Sequence, residues 1–300
     1  MVIHGKVVNE VAGGPGGQQS LMDVSTDTEQ RQLAEMQATF NIPALVCPEE
    51  VKKIIAENLA GMGEQRFDKI NMPSGGGIAF TIIDEDGKEE PAKDLKCILL
   101  DKFPFKAWYI RSFEEKGEGD IGIPDCFSAD NIHGSGCREA GIPEGQLCEM
   151  CSKGQWGSNR KGGRGKDCAD KIRIHFVLEE NAFPKYIDAP PTSVGNVKDY
   201  LKRLSNKMNL FYGVVTNISL EKDKNDTGIT YPKATFAKAA NLTREERAKM
   251  KDYIEALLPS MRKITRESIG EVAAVDVVDV QGGAAGEGYR QPGAEGNEPY

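Results

Sequence analysis

Residues 124–171 read PDCFSADNIHGSGCREAGIPEGQLCEMCSKGQWGSNRKGGRGKDCADK. This stretch decides the fold because it has the periodicity of neither a helix nor a strand. An irregular run of this length inside a folded domain requires a staple. Five of the chain's seven cysteines lie in it, between positions 126 and 168. The start, MVIHGKVVNE, lacks the basic and apolar regions of a secretory signal. No apolar run approaches the roughly 18–20 residues that cross a bilayer. The expectation is a cytoplasmic protein without a membrane segment, where thiols stay reduced and metal, not a disulfide, is the staple.

Cys148 and Cys151 form a C-x-x-C knuckle, a spacing that lets two thiolates meet one metal ion. With Cys126 and Cys168 the pattern becomes C-x21-C-x2-C-x16-C. Four thiolates close a tetrahedral shell, so the expected ion is a structural Zn²⁺ with no open position for catalysis. Spacing alone leaves His133 or Cys137 as alternatives to Cys126. Inert, buried thiols are disfavoured because the surrounding Gly, Ser, Lys and Asp are poor core material. A redox C-x-x-C belongs at a helix start after a strand, and this one sits in a Gly-rich loop.

Working outward, PEEVKKIIAENLA places Val51, Ile54, Ile55 and Leu59 on one helical face. GIAFTIID, DLKCILL and KAWYIRSF read as strands. After the cysteine stretch, KIRIHFVL alternates Ile172, Ile174, Phe176 and Leu178 against Arg173, His175 and Val177, a half-buried strand. SVGNVKDYLKRL is a helix through Val194, Val197, Leu201 and Leu204. LFYGVVTNISL alternates again through Val214, Thr216, Ile218 and Leu220. GITYPKATFA carries Pro232, which predicts an edge strand or a bulge. Thr243 and Glu246 form a capping box before Met250, Tyr253, Ile254 and Leu257.

This order predicts a mainly β protein with helices (α+β), an OB-like Greek-key barrel with a zinc-binding loop at 114–170 inserted between strands. A plain α+β sheet accommodates the same order. The expected division is a flexible acidic segment at 1–45, a domain at 46–266, and a disordered, acidic, Gly-rich tail at 267–300.

The formal charge of −8 is unevenly distributed. Residues 1–50 hold seven acids against two bases, and 267–300 hold seven against one. The body between them holds 35 bases and 32 acids. A mildly basic body suits an anionic ligand. Its densest cations are Lys153, Arg160, Lys161, Arg164, Lys166, Lys171 and Arg173, against Asp167 and Asp170 only. Trp156 lies among them. On KAWYIRSF, Tyr109, Arg111 and Phe113 share one face, with Trp108 and Ile110 on the other. Cations for the backbone and flat rings for the bases are what single-stranded nucleic acid requires.

The strings PDCFSADNIHG, LCEMCSKGQWGSNRKGGRGKDC and APPTSVGNVKDYL resemble a family of bacteriophage and mobile-element proteins over about residues 95–240. The matching positions are Pro124, Cys126, Ser128, Asp130, Cys148, Cys151, Trp156, Gly157, Ser158, Gly163, Gly165, Lys166, Cys168 and the run Pro190–Ser193. Asn131 departs from the family's Gly, and Ser152 from its Pro after the knuckle. The resemblance implies single-stranded DNA binding in phage or mobile-element replication or recombination. It favours Cys126, Cys148, Cys151 and Cys168 as the zinc ligands over His133 and Cys137. It further implies that the acidic tail competes with DNA and recruits replication or recombination proteins.

An enzyme is not expected. The three histidines, His4, His133 and His175, form no H-E-x-x-H motif, and there is no phosphate-binding loop or G-x-S-x-G. Asp84, Asp86 and Asp101 have no metal-binding spacing. The alternatives are a zinc-stabilised interaction or virion structural protein and, further off, a metal-dependent DNA-processing enzyme.

Overall fold

The longest strand, β4 (Asp94–Trp108), organises the molecule, because the strings DLKCILL and KAWYIRSF run together into it instead of forming two strands. In the computed structural model the described residues are 42, 48–58, 60–61, 67–73, 76–84, 86–111, 122–160, 162, 164–224 and 228–270. Helix α1 spans Pro48–Asn58. Strands β1 (Asp68–Lys69), β2 (Phe80–Ile83) and β3 (Glu89–Ala92) precede β4, and β5 (Cys126–Ser128) follows it. Then come β6 (Ala169–Leu178), β7 (Lys185–Ala189), α2 (Pro191–Asn206), β8 (Val214–Lys224), β9 (Thr230–Asn241), α3 (Arg244–Met261) and α4 (Glu267–Gly270).

The main sheet has the order β1-β7-β6-β4-β8-β9, with β5 also on β4. All its pairs are antiparallel except β1 with β7. Strands β2 and β3 form a separate hairpin. One edge of β4 pairs with β6 along most of its length. The other edge pairs with β8 at Asp94–Cys97 and with β5 at Lys106–Trp108. Pro104 falls between those two pairings, where a strand proline is tolerated.

The sheet is buried on both faces. Leu95, Cys97 and Leu99 of β4, Ile172, Ile174 and Phe176 of β6, and Ile218 of β8 pack beneath Val197, Tyr200 and Leu204 of α2. The opposite face sets Ile98, Leu100, Val177 and Val215 against Met250, Tyr253 and Met261 of α3, with Val51 of α1 and Ile42. KIRIHFVL is therefore buried on both sides from Ile172 to Val177, where the alternation predicts a half-buried strand. A bulge between Leu99 and Asp101 shifts the register with β6, so that Asp101 faces His175. Beyond it Phe105 and Ala107 join Phe127, Ile264 and Ile269 in a third cluster.

The architecture is α+β, with an open mixed sheet: among the described residues the terminal strands β1 and β9 do not pair. Helix α2 covers the edge of β9 instead. Ala234 N donates to Ser193 Oγ at 2.9 Å, Asn196 Nδ2 donates to Ala234 O at 2.8 Å, and Arg203 Nη2 donates to Phe236 O at 3.2 Å. These bonds use up edge groups that would otherwise invite another strand. The edge role predicted from Pro232 for β9 is seen, and so is the Thr243–Glu246 capping box of α3.

The acidic ends at 1–45 and 267–300 lie outside the described residues, with two exceptions. Ile42 is buried, and residues 267–270 form α4 with Ile269 packed on the third cluster. No described helix is long and apolar enough to cross a membrane.

Candidate metal centre and nucleic-acid face

The connection from β4 to β6 begins and ends beside its own anchor. Cys126 opens β5 opposite Trp108, and Cys168 immediately precedes Ala169, which pairs with Ala107. The knuckle closes through a turn in which Cys151 N donates to Cys148 O at 3.4 Å. Cys168 N donates to Lys153 O at 2.8 Å and so joins the far end of the loop to the knuckle. Glycine is needed at one crossing, where a Cβ on Gly154 would lie 2.9 Å from Cys148 O, and it gives room at a second, where one on Gly134 would lie 3.1 Å from Cys126 Sγ.

As a result Cys126, Cys148, Cys151 and Cys168 line one cavity of about 20 Å³, with Trp108 and Lys106 on its wall. That is room for one water-sized particle. Burial pushes the Cys168 thiol up to about 12, with Cys148 and Cys126 adding to the rise and Lys106 opposing it. Burial also raises Cys126, and Cys148 and Cys151 raise it further. Cys126 and Cys168 thus each feel charge on Cys148, which a cation between them would offset. Their donor chemistry fits Zn²⁺ in a closed shell. The sulfurs are not drawn into ligating geometry, since among the described residues no group of three or more His, Cys, Asp or Glu is.

The two alternative ligands face elsewhere. His133 Nδ1 lies 2.6 Å from Asp130 Oδ2. Asp130 also accepts from the backbone N–H of Ile132 and His133 and from Ser128, and these bonds hold its carboxyl far below the usual range. Cys137 exchanges backbone bonds with Ile142 at 2.8 and 2.9 Å and lines a separate groove beside Arg138 and Arg266. Asn131 adopts φ of 66°, a left-handed conformation that Asn takes more readily than most residues other than glycine.

The predicted nucleic-acid residues divide into three groups. Trp156 is 78% exposed with Lys166 Nζ 5.1 Å from its ring centroid, and Arg164 and Arg111 are exposed. Lys171 lies over the ring of Tyr109 at 6.0 Å. A second group is engaged within the loop. Asp167 accepts from Trp108 Nε1 at 2.7 Å and Arg160 Nε at 2.8 Å, with Lys153 Nζ 3.8 Å away. Arg160 also donates to the carbonyls of Tyr109 and Ile110, and Lys166 pairs with Asp170 at 2.8 Å. Phe113 and Lys161 form the third group and lie outside the described residues.

Two expectations are corrected. The strand ends at Trp108, so Tyr109 and Arg111 are not an extended row on it. Tyr109 is partly buried, and burial raises its hydroxyl to about 12. Arg173 is 4% exposed and gives a bidentate pair to Asp188 at 2.8 and 2.9 Å, with Tyr186 against its guanidinium at 4.0 Å. It has no surface left to offer a phosphate.

The loop's anchoring residues, Lys106, Asp167 and Asp170, escape a sequence reading that weighs only the cations. The one signal available is that acids bracket a cysteine in the string KDCAD. No protein-family model, curated protein or solved structure matches the chain.

Proposed function

We propose that the protein binds single-stranded DNA with little sequence preference, through the cysteine loop and the adjoining Tyr109–Arg111 segment, with Zn²⁺ on the four cysteines as a structural staple. The observation that carries this reading is the strand order β7-β6-β4-β8-β9, with α2 between β7 and β8 in the chain. The chain order β4, β6, β7, β8 and β9 in this spatial order supports an OB-like reading of the sheet, which is open where α2 meets β9. In that architecture oligonucleotides bind on the face of the second and third strands and on the loops after the first and fourth strands; β6 and β7 are largely buried here, which leaves the loops. Here the loop after the first of the five strands is the cysteine loop, which presents Trp156 and Arg164. The expected role is protection or organisation of single strands during phage or mobile-element replication or recombination, by binding and not by catalysis.

The pairing of Arg160, Lys153 and Lys166 within the loop favours a second reading, in which zinc rigidifies a protein-interaction scaffold. Anisotropy of a labelled mixed-sequence single strand beside its duplex separates the two. Preferential single-strand binding that Trp156→Ala weakens by about 1–3 kcal/mol supports the first reading. Equal affinity for duplex, or indifference to Trp156, supports the second.

A further inference from the structure

Strand β4 ends in the residues FKAW, whose alternation sends Phe105 and Ala107 to the third cluster and Lys106 and Trp108 to the opposite face. Lys106 and Trp108 there line the cavity of the four cysteines. Lys153, two residues beyond the knuckle, lines it as well. Among the described residues the cavity wall carries these two ammonium groups and no carboxylate.

The carboxylates that hold the two lysines are shared with other cations. Asp170 stands opposite Lys106 in the register of β4 with β6, and accepts from Lys106 and, at 2.8 Å, from Lys166. Asp167 accepts from Arg160 at 2.8 Å and has Lys153 Nζ 3.8 Å away. The ring of Trp108 backs Lys153 at 5.0 Å and Arg160 at 5.6 Å. In this set four cations meet two carboxylates, which leaves two positive charges in excess. Four thiolates around Zn²⁺ carry two negative charges in excess. The two excesses cancel. The Lys106 side chain is only 17% exposed, and attraction between charges shielded from water is stronger than between solvated ones.

We infer that Lys106 and Lys153 are positioning residues for the metal, whose ammonium groups neutralise the four-thiolate shell while Asp170 and Asp167 hold them beside it. The inference rests on the zinc reading of the four cysteines. It gives the sharing of two carboxylates among Lys106, Lys153, Arg160 and Lys166 a consequence, which is net positive charge next to the thiolates. Residues that surround a metal shell tune its affinity without touching the ion.

The test uses the full-length chain, with zinc affinity read by competition against a chromogenic chelator. Co²⁺ serves as a second probe, because its thiolate charge-transfer absorption reports ligation by sulfur. Lys106→Met and Lys153→Met are expected to bind zinc about 10–100-fold more weakly, and Lys106→Arg to stay close to the unaltered chain. Lys153→Met changes a more exposed side chain and keeps the test decisive where Lys106→Met does not fold. Asp170→Asn separates charge from anchoring. It leaves Lys106 and Lys166 positive, so neutralisation by charge predicts unchanged or tighter zinc binding, whereas anchoring predicts the loss seen in Lys106→Met. An equal loss in Asp170→Asn and Lys106→Met, or equal affinity in every variant, overturns the inference and leaves the four-cysteine site standing. An unaltered chain that takes up no stoichiometric zinc, or a cobalt spectrum without thiolate bands, overturns the zinc reading and this inference with it.

Discussion

The bond from Cys168 N to Lys153 O ties the end of the loop to the knuckle two residues beyond Cys151, so the loss of either thiol should be felt beyond its own turn. Cys151→Ser is expected to release zinc and loosen residues 122–168, read as metal per chain and as proteolytic sensitivity in the loop. One retained zinc per chain with an unchanged loop would contradict the ligand set. His175 makes a separate prediction. It is 1% exposed, its Nδ1 has no hydrogen-bond partner among the described residues, and burial lowers its pKa from 6.5 to about 4, with Arg173 adding to the drop and Asp101 and Asp188 opposing it. Between those values the unfolded chain takes up a proton that the folded chain refuses. Stability from this residue is therefore complete above about pH 6.5 and is lost as pH falls toward about 4, by at most about 3 kcal/mol. Denaturant midpoints at both ends of that window check it. His175→Leu should remove this step, and an unchanged slope in the variant would assign the dependence to other groups.

At the scale of elements, helix α3 is held at its start by the Thr243–Glu246 box, with bonds of 2.7 and 3.2 Å. Thr243→Ala should cost about 1 kcal/mol of unfolding free energy, and a loss near zero would mean that packing of Met250 and Tyr253 alone fixes the helix. This helix and α2 were legible in the sequence, because caps and helical spacing are local signals. The edge position of β9 was legible for the same reason, through Pro232. The length of β4 was not. Its two apolar strings are separated by Asp101, Lys102 and Pro104, and only the bulge and the two-sided pairing of the folded sheet join them. The burial of Arg173 was equally hidden, because its partner Asp188 stands on the neighbouring strand and alternation along β6 reports only which face a residue takes. In the cysteine loop, spacing marked the Cys148–Cys151 knuckle but left His133 and Cys137 open beside Cys126, and the anchors Asp167 and Asp170 emerge only from the contacts they make with Trp108, Arg160, Lys106 and Lys166.

Across the whole molecule, charge is the property that connects the parts. The body is mildly basic and residues 271–300 hold six acids against Arg290. Deleting them is expected to tighten single-strand binding at low salt, and unchanged or weaker binding would count against competition by the tail. Helix α4, from which that segment continues, packs on the cluster around Phe105 and Phe127, next to the strand ends that carry the cysteine loop. The central proposal is that this loop binds single strands through their phosphates and bases. It is tested most directly by the affinity of the zinc-loaded chain for a labelled single strand across a salt series. If about four phosphates are neutralised, affinity should fall roughly 50-fold between about 50 and about 200 mM salt. Absence of binding at about 50 mM, or an affinity that salt does not change, would contradict the account.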